Sequence, residues 1–547
     1  MIIRNAFVRS GSLLCSIAAL LLAAGCESAP TGDDDSDVTG GTGGSGGTTA
    51  TMGGSSGSGT AGAQPSTGGT TAMGNGGTTA MGNGGSTSTA GAGNPAGGAP
   101  PTAGAGGSTG IAGSGNPAGG APPMGGAGGQ SAGAAGAGAG APPTAGTGGG
   151  GTGGPDPWNG YNPDFKEFVG EGCMVKEPAD VNNPKLPDLF QQLDGSRMST
   201  KAQWACRRAE LKAIVEKYIH GPKPGKPEMV TGSVTNSSIK VHVEQGGKSV
   251  DFSVSVSVPA GAKMPAPIII GLGGGSLDKK ILTDEGVALA NYSNNSISDE
   301  KSRSGLFSQL YPNTAASAQV GWAWGVSRII DVLVAEAAAG RNTIFDPKAV
   351  GVTGCSRLGK GAFTIGAFDE RIALGIPQES GTGGVSAFRI VNTAPTGPNG
   401  KPAQSLDSAW TEAQGWFGTV FQTYKGKVNV IPGDTHSLVA MYAPRGLLVL
   451  DNSRIGELGS KAQHGASAAG MLVYKALGVE HNIEYHGGRP DDPHNHCSFY
   501  PEQEQPLRDA IRAFLTKKDV AKGKIEPQPA GTVDLTQWID WDAPTLQ

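Results

Sequence analysis

The pattern of apolar and polar positions changes along the C-terminal part of the chain. Residues 238–244 and 250–258 alternate between polar and apolar side chains, and Gly246 and Gly247 lie between them. This arrangement predicts an antiparallel β-hairpin. Residues 267–272 then form a continuous apolar run. Such a run is typical of a strand that is buried on both faces of a sheet.

The residues after this strand predict alternating helices and strands. Between 324 and 339, apolar side chains recur at helical spacing, at Val326, Ile329, Ile330, Leu333 and Val334. Further strand-like runs, separated by helical stretches such as 461–477, lie at 349–352, 372–376 and 446–450. We therefore predict an α/β protein with the α/β-hydrolase fold, a three-layer sandwich in which helices cover a mostly parallel central sheet.

The first 155 residues differ in composition from the rest. The chain contains 93 glycines, and most of the excess lies before residue 156. Residues 70–77 are repeated directly at 78–85, but these repeats carry no apolar face that could pack into a solenoid. We predict a disordered tether at residues 26–155, with a root-mean-square span of roughly 60 Å. The folded domain is predicted at residues 156–547.

The N-terminus has the pattern of an export signal. Arg4 and Arg9 accompany an apolar stretch at 11–22 that is too short to span a membrane. Residues 22–26, Leu-Ala-Ala-Gly-Cys, resemble the bacterial lipoprotein cleavage box. The resemblance implies removal of a signal peptide, residues 1–25, and a lipid on Cys26. The alternative is an ordinary secretion signal in which Cys26 has no role. We expect the protein to be secreted and lipid-anchored at the cell surface, on the outer membrane, where disulfides persist.

Residues 350–361 contain the candidate chemistry. An apolar run ends at Gly354, the chain turns through Ser356, and a helical pattern follows. The segment is similar to a nucleophile elbow, in which a serine is exposed on a sharp turn between strand and helix. It is also similar to a phosphate-binding loop, since Gly354 and Lys360 have the spacing of that motif. The phosphate-loop hypothesis is weaker, because Gly361 occupies the place of the magnesium-binding serine or threonine.

The elbow pattern is imperfect, because the second glycine, Gly359, comes one residue later than in Gly-x-Ser-x-Gly. A serine nucleophile needs a neighbouring base, since its hydroxyl is protonated at neutral pH. Of His494 and His496, the latter is the better candidate for this base. Its neighbour Cys497 could pair with Cys355, which is adjacent to Ser356. Such a disulfide would hold the nucleophile and the base together.

The predicted domain contains four cysteines, which allow three pairings. The pairing of Cys355 with Cys497 uses both adjacencies to the candidate site. It leaves Cys173 to pair with Cys206. We predict these two disulfides.

The acid that would orient the histidine has two candidates. Asp451 directly follows the run at 446–450, the predicted penultimate strand of the sheet, where many α/β-hydrolases place this residue, and Glu379 follows the run at 372–376. Either carboxylate would stabilise a cationic imidazole during acyl transfer. Position in the fold favours Asp451.

Several short segments together carry a family pattern. Two of them are 354–362, Gly-Cys-Ser-Arg-Leu-Gly-Lys-Gly-Ala, and 377–384, Pro-Gln-Glu-Ser-Gly-Thr-Gly-Gly. Further matching segments lie at 271–277, 323–328, 436–438 and 443–447. The chain from about 184 to 515 resembles the glucuronoyl esterases, a carbohydrate esterase family. The resemblance implies hydrolysis of the ester that joins (4-O-methyl-)glucuronic acid of glucuronoxylan to alcohols of lignin, without a metal or an organic cofactor.

The resemblance also implies roles for individual residues. Ser356 would be the nucleophile, His496 the general base, and Glu379, rather than Asp451, the acid. Arg357 would help to hold the oxyanion, because donors at that place stabilise charge that appears only in the transition state.

Three sugar contacts are implied as well. Lys360 would contact the uronate, and Gln404 and Glu412 have the eight-residue spacing of a sugar-binding pair in the family. For the latter two, a solvated surface loop is the alternative. One segment departs from the family, since Glu457 stands where a tryptophan is common. We expect weaker sugar binding, and repulsion between Glu457 and a free uronate product.

These patterns predict a monomeric serine esterase that acts on lignin–carbohydrate esters. An acetyl-xylan or feruloyl esterase on the same fold is one alternative, and a non-catalytic polysaccharide-binding display protein is another. The net charge of −5 argues against a nucleic-acid partner, which would need a basic surface.

Overall fold

The computed structural model describes residues 161–393, 399–488, 495–526 and 532–547. The predicted signal peptide, Cys26 and the tether lie outside the described residues. The first residues of the predicted domain, 156–160, do so as well.

A nine-stranded mixed sheet runs through the described residues, in the order β1-β2-β3-β5-β4-β6-β7-β8-β9. The strands are β1 (Met229–Val234), β2 (Ser238–Gln245), β3 (Lys248–Ser257), β4 (Ala266–Leu272), β5 (Ala288–Tyr292), β6 (Phe345–Cys355), β7 (Leu374–Gln378), β8 (Gly446–Leu450) and β9 (Ile483–His486). β2 and β3 form the predicted hairpin, which is confirmed. β1 pairs antiparallel with β2, and β3 with β5, whereas the pairs from β5 through β9 are parallel.

Helices connect the strands. They are α1 (Trp204–Val215), α2 (Lys279–Asp284), α3 (Asn294–Ile297), α4 (Leu306–Leu310), α5 (Ala318–Ala338), α6 (Arg357–Phe368), α7 (Phe388–Val391), α8 (Leu406–Glu412), α9 (Phe421–Tyr424), α10 (Thr435–Tyr442), α11 (Ser460–Leu477) and α12 (Glu504–Phe514). Among the described residues, none of the helices combines the length and apolar character needed to cross a membrane.

Apolar side chains on the two faces of the central strands pack into two separate clusters. Ile268 and Ile270 of β4 belong to the larger cluster, which also contains Phe363 of α6. Ile269, on the opposite face, belongs to the smaller cluster with Phe514 of α12. Because both faces are covered, the central strands are apolar throughout. The predicted three-layer sandwich with a mostly parallel sheet is confirmed.

The N-terminal segment is fastened to the helical layer. A disulfide joins Cys173 to Cys206 of α1, with the two Cα atoms 5.3 Å apart. Tyr161 donates a hydrogen bond of 2.5 Å to the carboxylate of Glu370, which also forms a buried ion pair with Arg208 of α1. This segment therefore belongs structurally to the α/β domain.

Candidate active site

Ser356 forms the turn between β6 and α6. Its backbone φ is +58° and its ψ is −127°, a conformation that is uncommon for residues other than glycine. The Ser356 amide donates a hydrogen bond of 2.9 Å to the Gln378 carbonyl, which fixes the turn against the end of β7. This is the geometry of a nucleophile elbow, with the serine at the N-terminus of a helix.

The two glycines around Ser356 are needed for close packing. A Cβ on Gly354 would lie 2.5 Å from the carbonyl oxygen of Leu358 in the first turn of α6. A Cβ on Gly359 would lie 2.4 Å from the carbonyl oxygen of Gln378 in β7. Both distances are too short for a real side chain, so the late glycine is explained by the contact between α6 and β7.

His496 and Glu379 form a hydrogen-bonded pair beside this turn. Nδ1 of His496 lies 2.6 Å from Oε2 of Glu379. The histidine side chain is 43% exposed, whereas the glutamate is fully buried. A proton on Nδ1 that is donated to the carboxylate leaves Nε2 to accept a proton from a nucleophile.

Two further donors hold the carboxylate of Glu379. The backbone amide of Cys497 donates to Oε2 at 3.0 Å, and the hydroxyl of Tyr500 donates to Oε1 at 3.1 Å. Burial, together with the charge of Glu379, raises the pKa of the Tyr500 phenol far above its usual value, so the group remains a donor. Tyr500 was not predicted from the sequence, because no local motif marks it.

A disulfide joins the elbow to the segment that carries the histidine. Cys355 and Cys497 are bonded across 142 residues of sequence, with the two Cα atoms 5.7 Å apart. Each cysteine is adjacent in sequence to one member of the Ser356 and His496 pair. Possible ligand atoms of these cysteines, Glu379 and His496 lie within 4.8 Å of one another. The two sulfurs are joined in a disulfide, however, and metals bind thiolates.

Asp451 has a different environment from Glu379. Its carboxylate accepts hydrogen bonds from Gln463 Nε2 at 2.6 Å and from the Tyr485 hydroxyl at 2.7 Å. Burial raises the pKa of Asp451 to about 6. The fold position that favoured Asp451 therefore does not supply the partner of His496, which is Glu379.

The elbow opens into a cleft of about 890 Å³. The residues of interest on its walls are Ser356, Lys360, Gln404, Glu412, Trp416 and His496. The structure thus brings the predicted nucleophile, the base and the three predicted sugar contacts to one cleft. Trp416 was missed in the sequence analysis.

Lys360 is buried in the cleft wall. Its Nζ donates a hydrogen bond of 2.6 Å to the Ser380 carbonyl and lies 4.6 Å from the centre of the Trp416 ring. Desolvation lowers the pKa of Lys360 to about 8, although the charges of Glu412 and Glu300 oppose this shift. The lysine is therefore built into the cleft, which differs from a lysine that projects from a phosphate loop.

Gln404 and Glu412 are in direct contact. Nε2 of Gln404 donates a hydrogen bond of 2.6 Å to Oε2 of Glu412 at the end of α8. The backbone of Gln404 is held by Thr382, whose hydroxyl donates to the Gln404 carbonyl at 2.6 Å. Both residues line the cleft, where they form a polar wall. The alternative was a solvated surface loop.

Arg357, the first residue of α6, pairs with an acid that the sequence analysis missed. Its Nε lies 3.1 Å from Oε1 of Glu300. The arginine side chain is 57% exposed and that of Glu300 is 10% exposed. The guanidinium is therefore partly exposed to solvent, with its Nε edge on a buried carboxylate.

Glu457 lines the cleft, but its charge is paired. Oε1 lies 2.7 Å from Nζ of Lys401, and Oε2 accepts a hydrogen bond of 2.8 Å from Asn399. Burial acts to raise the pKa of Glu457, but the hydrogen bonds from Lys401 and Asn399 outweigh it and keep the pKa below its usual value. The expected repulsion of a uronate is therefore reduced by the Lys401 cation.

Comparisons with known proteins point to one family. A family model described as "Glucuronyl esterase, fungi" matches residues 241–478. A 4-O-methyl-glucuronoyl methylesterase from Hypocrea jecorina is 37% identical over 370 residues, which cover 67% of this chain and 77% of that protein. One from Neurospora crassa is 39% identical over 369 residues, which cover 66% of this chain and 89% of that protein.

Solved structures give the same result. The glucuronoyl esterase catalytic domain from Hypocrea jecorina has a TM-score of 0.61 and 35% identity, and the match covers 68% of this chain and all of that one. A mutant glucuronoyl esterase from Sporotrichum thermophile, solved in complex with methyl 4-O-methyl-β-D-glucopyranuronate, has a TM-score of 0.62 and 37% identity. That match covers 69% of this chain and 100% of the solved chain. The chain belongs to the glucuronoyl esterase family.

Proposed function

We propose that this protein hydrolyses the ester between (4-O-methyl-)glucuronic acid of glucuronoxylan and an alcohol of lignin, with Ser356 as the nucleophile. One observation carries the proposal: the His496 imidazole is hydrogen-bonded at 2.6 Å to buried Glu379, and His496 lines the same cleft as the elbow serine. Such a pair would supply the base and the group that orients it, both of which a serine nucleophile needs.

The first half of the reaction forms an acyl-enzyme. Ser356 Oγ attacks the glucuronoyl carbonyl carbon while Nε2 of His496 takes the hydroxyl proton. Glu379 stays ionised, keeps Nδ1 protonated and stabilises the imidazolium. Collapse of the tetrahedral intermediate breaks the bond to the alcohol oxygen, and His496 returns the proton to that oxygen as the alcohol leaves.

The second half uses water. His496 removes a proton from a water molecule that attacks the acyl carbon, and the bond to Ser356 Oγ then breaks. Ser356 recovers its proton from the imidazolium, and the free uronic acid is released. The 43% exposure of His496 is compatible with the entry of this water.

The oxyanion of each tetrahedral intermediate would be stabilised at the start of α6. Backbone amides of a first helical turn have no partner within the helix, and they add to the positive end of the helix dipole. The Arg357 side chain belongs to this same turn and adds a full positive charge. Such donors are worth most when they are already in place before charge develops.

The sugar would be held by Lys360, Gln404 and Glu412. All three line the cleft with Ser356, and their side chains offer both donors and acceptors to hydroxyl groups. The Trp416 ring, beneath Lys360, adds an aromatic surface. A uronate ester is therefore a better match for this polar wall than an apolar acyl chain.

We also propose that the mature protein is displayed at the cell surface through a lipid on Cys26. The proposal is supported by the residues 22–26, Leu-Ala-Ala-Gly-Cys, after a short apolar stretch, and by the long stretch of low-complexity sequence that follows. A Cys26→Ser variant should move from the membrane fraction to the medium. Retention of this variant in the membrane fraction would contradict the proposed anchor.

A substrate panel tests the proposed specificity. Wild-type protein should turn over benzyl and methyl glucuronate at rates well above those for acetylated xylan or feruloylated arabinoxylan. Equal or faster release of acetate or ferulate would favour another esterase activity. Failure of a fluorophosphonate probe to label Ser356 would favour a binding protein without catalysis.

A further inference from the structure

Glu300 links Arg357 to Trp416, which lines the cleft. It is buried and lies three residues after the end of α3. Its Oε1 pairs with Arg357 Nε at 3.1 Å, and its Oε2 accepts a hydrogen bond of 2.9 Å from Trp416 Nε1. The Trp416 ring in turn lies under the ammonium of Lys360. One carboxylate therefore contacts both the residue beside the nucleophile and the aromatic wall of the sugar site.

We propose that Glu300 is a positioning residue that aims the guanidinium of Arg357 at the oxyanion. The inference rests on the proposed function and assigns a role to a residue that does not itself touch the substrate. The pair uses Nε, and a guanidinium has four further N–H donors on its two terminal nitrogens. Fixing Nε in this pair leaves the donors on the two terminal nitrogens available to an oxyanion at the start of α6.

The segment that carries Glu300 is itself fixed. The Ser298 carbonyl accepts a hydrogen bond of 2.6 Å from the indole of Trp322. Arg303 donates to the carbonyls of Gln414 and Phe417, at 2.6 and 3.0 Å. These contacts join the loop after α3 to the residues on both sides of Trp416, so Glu300 is held between two anchored segments.

Exposure of Arg357 explains why such an anchor is useful. A side chain that is 57% exposed has many rotamers in water. If the guanidinium had to be ordered only when the oxyanion forms, that loss of entropy would add to the barrier. A carboxylate that orders it beforehand removes this contribution, as preorganised donors do in general.

The two contacts of Glu300 need two acceptors. A carboxylate provides one oxygen for the indole N–H and one for the guanidinium. Glutamine has the same shape but only one acceptor oxygen, and its amide N–H₂ would face a donor on the other side. Glu300→Gln therefore loses one contact without a change in side-chain volume.

A double-mutant cycle with Arg357 tests the inference. Glu300→Gln should lower kcat for benzyl glucuronate about 10-fold or more, with KM changed by less than about 3-fold, since only transition-state stabilisation is lost. In an Arg357→Ala background, the same substitution should lower kcat by less than about 2-fold, because residues that act through one another are not additive.

Glu336→Gln is the matched control. Glu336 also pairs with an arginine, Arg341, at 2.6 Å. It lies about 26 Å along the axis of α5 from Gln319, whose amide donates to the Trp416 carbonyl at 2.7 Å. The Glu336→Gln variant should therefore have the kcat of the wild type. If Glu300→Gln does not fold, Glu300→Asp takes its place, because it keeps both acceptors and the charge but withdraws them by one methylene.

The outcomes separate the two proposals. Equal losses of kcat in both backgrounds, or a loss confined to KM, would overturn the role of Glu300 while wild-type activity supports the proposed function. A wild-type protein that does not hydrolyse glucuronate esters would overturn both.

Discussion

Nδ1 of His496 lies 2.6 Å from Oε2 of Glu379, although 117 residues separate them in sequence. Both ends of this contact depend on unusual backbone conformations. Glu379 has a φ of +48°, and Cys497, next to the histidine, has a φ of +65°. With Ser356, three of the seven non-glycine residues at positive φ in the described chain lie at this site. Strain of this kind persists where the surrounding structure holds it in place, and it concentrates at active sites.

The choice between the two acids gives a first prediction. Glu379→Gln should lower kcat/KM for benzyl glucuronate by roughly three orders of magnitude, because an amide supports the wrong tautomer of His496. Asp451→Asn should cost less than about 10-fold, since its partners are Gln463 and Tyr485. Steady-state kinetics on both purified variants decide the point. A larger loss for Asp451→Asn would show that the acid is wrongly assigned.

The two disulfides give a second prediction, because they close loops of different importance for catalysis. Replacing Cys355 and Cys497 by alanine removes a link across 142 residues, worth about 5 kcal/mol of unfolding free energy. Replacing Cys173 and Cys206 removes one across 33 residues, worth about 4 kcal/mol.

Both double variants should therefore lose comparable stability in urea unfolding, whereas kcat at 25 °C should fall markedly only in the first. The matched N-terminal pair controls for general destabilisation. Equal kcat values in the two variants, measured where both are folded, would mean that the Cys355–Cys497 bond does not position the serine and the histidine.

Lys360 gives a prediction about pH. Burial disfavours its charged form and lowers its pKa to about 8, so the ammonium is complete below about pH 7 and is lost as the pH rises through 8. If the ammonium binds the sugar, KM should rise several-fold between about pH 7 and pH 9 with a smaller change in kcat. A Lys360→Met variant should show a high KM without this rise. Persistence of the same inflection in Lys360→Met would assign it to another group.

The pair of Glu457 and Lys401 gives a prediction about product inhibition. Glu457→Gln leaves the Lys401 charge without its partner at 2.7 Å, so free glucuronate should inhibit more strongly. Lys401→Gln should have the opposite effect. Both groups are partly exposed, so we expect changes of only about 2- to 5-fold, which shrink in high salt. Inhibition constants at low and high ionic strength measure this, and changes of the same sign in both variants would exclude the electrostatic explanation.

The fold could be predicted from the sequence where the pattern of apolar residues was simple. The run at 446–450 coincides with β8, because a strand that is buried on both faces is apolar throughout. Helix α5, in contrast, begins six residues before the predicted 324. Its first turn contains Gln319, a polar residue that is buried because its amide donates to the carbonyls of Gly383 and Trp416. Periodicity alone does not reveal such a residue.

The site was predictable where neighbours in sequence carry the chemistry. Ser356 lies in a local turn motif, and Cys497 marks His496. Residues that contribute through distant contacts gave no such signal. Tyr500 reaches Glu379 across 121 residues, and Trp416 reaches Glu300 across 116, so only the folded chain brings them together.

Hydrolysis of benzyl glucuronate by wild-type protein and by Ser356→Ala tests the central claim most directly. The wild type should release benzyl alcohol and glucuronate. Ser356→Ala should keep the thermal unfolding midpoint close to that of the wild type and lose activity by several orders of magnitude, since the remaining oxyanion donors provide only residual catalysis. Full activity in a folded Ser356→Ala variant would contradict the account.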